Sequence, residues 1–240
     1  MQERFLQLIM DIKNYFLKYG KNDPENKLSS NTHKIAANNI TKEVYDKAVL
    51  IEPEISSVLV SLVEPSFSEL KSFEHRIKDY DSLKRKIISD SKKFDGSYRR
   101  AADKIFDAVR YTIVIPDDLF VIKAEEYLRK LESYGYYVVE LKNKWGTDSC
   151  QGYNVKLRAK GNGEIFEIQF HTPFGYHIKE GFTRELYEIA RDERVDAEII
   201  DLKKRANEFR SLFFKLIPIP KDAIGYKYER SMEDEYGKSR

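Results

Sequence analysis

Residue 109 marks a change of period in the chain. Before it, apolar residues recur every three or four positions. From VRYTIVI (109–115) onward, short β-branched and aromatic runs take over. VRYTIVI stops at Pro116, and YYVVELK (136–142) starts just after Gly135. Residues 152–159 and 164–171 are joined by Gly161-Asn162-Gly163, a hairpin-sized loop. A helical pattern over about 119–134 links the first two runs, and helical patterns return at about 176–191 and 195–215. Four strands bracketed by helices predict an α+β domain with a central mixed β-sheet of about four to five strands, flanked by helices.

Ahead of the sheet, Phe5, Ile9, Ile12 and Phe16 define an amphipathic helix over 5–17, closed by Gly20. Residues 21–34 have almost no apolar content and read as a linker. Helices are predicted at about 41–51, at 54–64 beside Pro53, at 81–91 and at 97–106. The chain therefore divides into an N-terminal helix and linker (1–40), a main domain (41–218) and a polar tail (219–240), in which Tyr226 and Tyr228 could pack.

Composition excludes several classes. The 240 residues are 41% hydrophobic and 34% charged, as in a soluble globular protein. The longest apolar candidate, 48–64, is broken by Glu52 and Glu54, so no membrane span is expected. MQERFLQLIMDIK carries charges within its apolar stretch and is not a secretory signal. A single cysteine, Cys150, excludes an internal disulfide and a cysteine zinc site and fits the cytoplasm. The net charge of +2 does not by itself argue for nucleic acid.

Two stretches carry chemistry. EIFEIQFHT (164–172) alternates Glu167, Gln169 and His171 with Phe166, Ile168 and Phe170, lining a carboxylate, an amide and an imidazole along one strand face. HRIKDYDSLKRK (75–86) gathers Arg76, Lys78, Lys84, Arg85 and Lys86 around Ser82 near a helix start, where backbone N–H groups and cations attract phosphate. A solvated charged helix is the plain alternative. Asp107 stands at the mouth of the first strand with Arg110 inside it; the aspartate either caps a turn or binds a metal. Tyr153 is open to strand packing or to base stacking, and an isolated strand histidine such as His171 defaults to a structural role. There is no Walker-type glycine loop, no HExxH and no GxSxG, so P-loop, zincin and serine-hydrolase chemistries are not indicated.

RIKDYDSLKRK (76–86), DAVRYTIVIP (107–116), QGYNVKL (151–157) and EIQFHT (167–172), in this order, resemble the synthetase domain of the RelA/SpoT family over roughly residues 44–215. That resemblance implies a nucleotidyltransferase-like synthetase fold and transfer of pyrophosphate from ATP to a 3′-hydroxyl. It also implies roles for particular residues. Arg76 and Arg110 would sandwich the adenine, and Lys78, Ser82, Lys84 and Lys86 would bind phosphates. Asp107 and Glu167 would hold magnesium, Glu167 also activating the attacking hydroxyl. Tyr153, Gln169 and His171 would meet the acceptor.

The sequence also departs from the family pattern. Asp107 lies three residues before Arg110, where the family aspartate lies five before its arginine; position 105 is isoleucine. Leu157 replaces a histidine and His171 an arginine, and the guanosine-binding loop is not recognisable around 142–150. No hydrolase or regulatory domain is expected on either side. The compact form resembles the toxic small alarmone synthetases of toxin–antitoxin systems. This implies a tRNA 3′ CCA end as acceptor, with inhibition of translation and a protein antitoxin as partner. The alternatives are a guanosine or adenosine nucleotide acceptor, or a non-catalytic module that binds RNA or a partner protein.

Overall fold

Period-two patterning becomes a five-stranded mixed sheet in the computed structural model, which describes residues 1–20, 31–148, 150–192 and 194–229. The strands are β1 (Glu69–Lys71), β2 (Arg110–Val114), β3 (Tyr136–Asn143), β4 (Tyr153–Ala159) and β5 (Ile165–His171), in spatial order β1-β2-β5-β4-β3. Only β2 and β5 run parallel; the other neighbours are antiparallel. The short edge strand β1 is the one element of the sheet that the sequence patterns do not reveal, since three residues are too few to show a period.

The register sorts the side chains into two faces. Tyr153 lies opposite Phe170, and Val155 opposite Ile168. Asn154 faces Gln169, Lys156 faces Glu167, and Arg110 also faces Glu167. Residues directly opposite one another project to the same side. One side is therefore apolar and the other polar, with Arg110, Asn154, Lys156, Glu167 and Gln169. The apolar side packs on α2 (Asn31–Leu62), α3 (Tyr80–Ser91), α4 (Tyr98–Ala102) and α5 (Phe120–Ser133) to form the main core.

Several expectations change. The two helices predicted on either side of Pro53 are one 32-residue helix, α2. Its buried positions 37, 41, 48, 52, 55, 59 and 62 stand three, four or seven residues apart, on one face straight across the proline, so one continuous packing stripe outweighs the local penalty. Residues 31–34 belong to α2 and not to a linker, which also moves the expected boundary at 40/41 inside a helix. The remainder of that linker, 21–30, lies outside the described residues. The helix expected at 97–106 shrinks to α4. The one expected at 176–191 is divided into α6 (Pro173–His177), a π-helical segment (Ile178–Phe182) and α7 (Arg184–Ala190).

The first helix, α1 (Gln2–Tyr19), packs with α7 and α8 (Ala197–Lys215) around a second core of Leu8, Ile12, Tyr15, Leu186, Ile199 and Leu202. The beginning of the expected tail is docked as well. The amide of Asn143 donates to the carbonyls of Ala223, Ile224 and Tyr226, and the ring of Tyr226 stacks on Tyr153 at 5.2 Å between centroids. Residues 230–240 lie outside the described residues. No described helix is long and apolar enough to cross a membrane.

Candidate active site

The 76–78 strip runs alongside the entry to β2. Lys78 N donates to Ala108 O at 2.9 Å, Arg110 N donates to Arg76 O at 2.8 Å, and Ile77 bridges Val109. This stitching brings the basic stretch to the end of β2 where Arg110 faces Glu167. Within it, Lys78 and Lys86 each donate to Asp107, one to either carboxylate oxygen, at 2.8 Å. Burial works against the charge of Asp107. The ammonium groups of Lys78 and Lys86 more than offset it and hold the carboxyl well below the usual range.

Arg76 is fixed on three sides. Its Nε donates to Glu52 of α2, its Nη1 donates to Phe73 O at 3.0 Å, and its guanidinium lies 4.5 Å over the Phe73 ring. A guanidinium held by its edge, with one face covered, keeps a plane on which a base can stack. Glu52 is a contributor that sequence reasoning missed; a carboxylate among the apolar positions of a long helix was its only signal. The Arg76–Arg110 backbone pairing sets the two arginines side by side at the entry to β2.

Ser82 and Lys84 behave differently from each other. Asp79 caps α3 by accepting from Ser82 N at 2.9 Å, and the Ser82 hydroxyl accepts from Arg85 Nη2 at 2.8 Å, so Ser82 stands at the helix start as expected. Lys84, by contrast, is only 9% exposed and shares a helix stripe with Ile87, Ile88 and Ser91, which turns it away from the Ser82–Lys86 side. Its expected place among the phosphate contacts thus gives way to a position on the far side of α3 from Ser82 and Lys86.

On the polar face, Gln169 Nε2 donates to Glu167 Oε1, and Lys179, from the π-helical segment, donates to Gln169 Oε1 at 2.7 Å. The face is half-open at Glu167 and closed at His171, which is 1% exposed. The Nδ1 of His171 is 2.8 Å from the Gln151 carbonyl, which can only accept, so Nδ1 carries the proton. Burial, reinforced by Lys179, pushes the imidazole well below its ordinary value and keeps it neutral. His171 is thus corrected from an acceptor contact to a buried strut. Gly152 complements it: at φ +135°, a Cβ there would sit 2.3 Å from Phe170 O and 2.7 Å from His171 Nδ1.

Tyr153 is corrected too. It is fully buried on the apolar side, against Phe120 and Tyr226, with its hydroxyl donating to Ala223 O at 3.1 Å. A tyrosine whose ring is covered and which faces away from Glu167 offers no stacking platform. Closer to the site is a half-buried aromatic that sequence reasoning passed over, Phe106, with Lys156 Nζ 4.7 Å over its ring.

As a resident magnesium site the donor set fits poorly. Both oxygens of Asp107 are occupied by lysines, one oxygen of Glu167 is occupied by Gln169, and no cluster of three or more acidic, histidine or cysteine ligands occurs among the described residues. What the arrangement offers is a cationic cluster of Lys78, Lys86 and Arg110 beside a half-open carboxylate.

No family model matches the chain, and no curated protein matches it. Several solved structures align with most of it. Small alarmone synthetase 1 from Bacillus subtilis, bound to its product pppGpp, is 13% identical over 74% of this chain and 90% of that one, with a TM-score of 0.38. Small alarmone synthetase 2 from the same organism is 15% identical over 72% and 92%, with a TM-score of 0.40. A GTP pyrophosphokinase family protein from Streptococcus pneumoniae is 12% identical over 74% and 86%, also at 0.40. With scores this low, the functional reading rests on the chain's own residues.

Proposed function

We propose that the protein is an ATP-dependent pyrophosphokinase that modifies a 3′-hydroxyl. The observation that carries this reading is the placement of the Lys78–Asp107–Lys86 cluster at the same end of β2 where Arg110 faces Glu167. Cations for a polyphosphate and a carboxylate for a hydroxyl proton are the two requirements of phosphoryl-type transfer, in which catalysis is mostly positioning and charge neutralisation. Lys78, Lys86 and Arg110 would bind the triphosphate, and Arg76 would support the adenine. Glu167 would accept the proton of the 3′-hydroxyl as that oxygen bonds to the β-phosphorus. The bond from the β-phosphorus to the oxygen bridging it to the α-phosphorus breaks, and AMP leaves with that oxygen. Magnesium belongs to this reading as the ion that accompanies ATP.

For the acceptor we favour the 3′ CCA end of tRNA, which would make the protein an inhibitor of translation with a protein antitoxin as its natural counterpart. Burial of Tyr153 supports this choice, because a free guanosine or adenosine nucleotide loses its expected stacking partner while a polynucleotide can be held through its backbone. The experiment supplies ATP labelled on the β-phosphate to GDP or GTP, to ADP and to deacylated tRNA in parallel. Label on tRNA, lost on oxidation of the 3′ end, is the expected result. Label on a free nucleotide would instead identify an alarmone synthetase, and no transfer to any acceptor would leave a binding module.

A further inference from the structure

Three side chains along the polar face are joined end to end. Lys179 Nζ donates to Gln169 Oε1 at 2.7 Å, and Gln169 Nε2 donates to Glu167 Oε1. The ammonium only donates and the carboxylate only accepts, so the amide can lie in one orientation alone. A primary amide of this length is what can link the two: a glutamate at 169 would repel Glu167, and a leucine would bond neither. Gln169 is 7% exposed, so losing one of these bonds leaves a buried polar group unmet.

Lys179 reaches this row from the π-helical segment, whose wide turn is closed by Thr183 N donating to Ile178 O at 3.0 Å, the Thr183 hydroxyl sharing its proton between the carbonyls of Ile178 and Lys179. Such turns are rare and occur frequently at functional positions. Lys179 Nζ also lies 3.2 Å from a carboxylate oxygen of Glu180. The second oxygen of Glu167 has no protein hydrogen bond among the described residues.

We propose that Lys179 is a positioning residue for pyrophosphate transfer, acting through Gln169 to hold the Glu167 carboxylate in one rotamer with its second oxygen left for the acceptor hydroxyl. The catalytic part of this inference rests on the reading of the reaction given above; the relay itself does not. The test uses the full chain carrying Lys179→Met and Lys179→Arg, with two readouts. In NMR spectra, the side-chain amide of Gln169, identified by its absence in Gln169→Leu, should show two well-separated protons in wild type. They should collapse toward the values of free glutamine in Lys179→Met and stay apart in Lys179→Arg. In the transfer assay, Lys179→Met should lower kcat by about 10²-fold, the scale of a misplaced catalytic group, with KM for ATP unchanged, and Lys179→Arg should restore most of it. Unchanged amide signals and unchanged kcat in Lys179→Met, or no rescue by arginine, would overturn the proposal. If wild-type protein transferred no label to any acceptor, the reaction reading would fail, and the amide signals would still decide the relay.

Discussion

Asp107 lies between two ammonium groups with little water around it, so its contribution to the fold depends on remaining ionised. An unfolded aspartate titrates near about 3.9, and the folded carboxyl titrates lower because of Lys78 and Lys86. The stabilisation is therefore complete above the unfolded value and is lost as pH falls through the folded one. Asp107→Asn preserves the shape and removes the charge, leaving Lys78 buried without its counter-ion. Breaking a buried pair costs about 3–5 kcal/mol, and urea unfolding at neutral pH should show a loss at the low end of that range, since Lys86 is partly exposed. The same variant should lose the share of acid sensitivity that this carboxyl supplies. The residue types at this site were legible in the sequence, because a lysine–serine–lysine spacing and a strand-mouth aspartate are local patterns. That the lysines would saturate the aspartate was not, since it depends on the 76–78 strip lying beside β2.

At the level of elements, the β4–β5 hairpin decides which residues can act together. Period two told us that Glu167, Gln169 and His171 share a face, but the face taken by Tyr153 depends on the register between strands, and a shift of one residue reverses every side chain. The pairing of Tyr153 with Phe170 settles it on the apolar side. Tyr153→Phe should therefore leave pyrophosphate transfer unchanged and cost about 1 kcal/mol, the net value of one hydrogen bond, because Ala223 O keeps its bond from Asn143. Chemical denaturation and the labelled-ATP assay on the same preparation would check both halves, and a collapse in kcat with an intact fold would return Tyr153 to the site. Helix α2 teaches the complementary point. Pro53 is a strong local signal and cut the predicted helix in two, whereas the stripe from Ala37 to Leu62 is a longer-range pattern that only packing on α3, α4 and the sheet makes decisive.

At the largest scale, the described residues form two cores of unequal size. The larger lies between the sheet and α2–α5, and the smaller lies among α1, α7 and α8. Both sets of helices were visible from their periodicity. Their division was not, because amphipathic helices carry no label saying which face they will meet. Phe213 packs against both clusters, and the π-helical segment leads from α6 through Thr183 into α7. One end of that segment is thus tied through Lys179 and Gln169 to Glu167, and the other to the smaller core. Warmth should therefore act on this protein like a slow fuse. The smaller core among α1, α7 and α8 should loosen first, slackening the segment and quenching turnover while the strands are still folded. On heating, pyrophosphate transfer should fade at a lower temperature than the amide-exchange protection of the sheet strands, and should return on cooling from that interval.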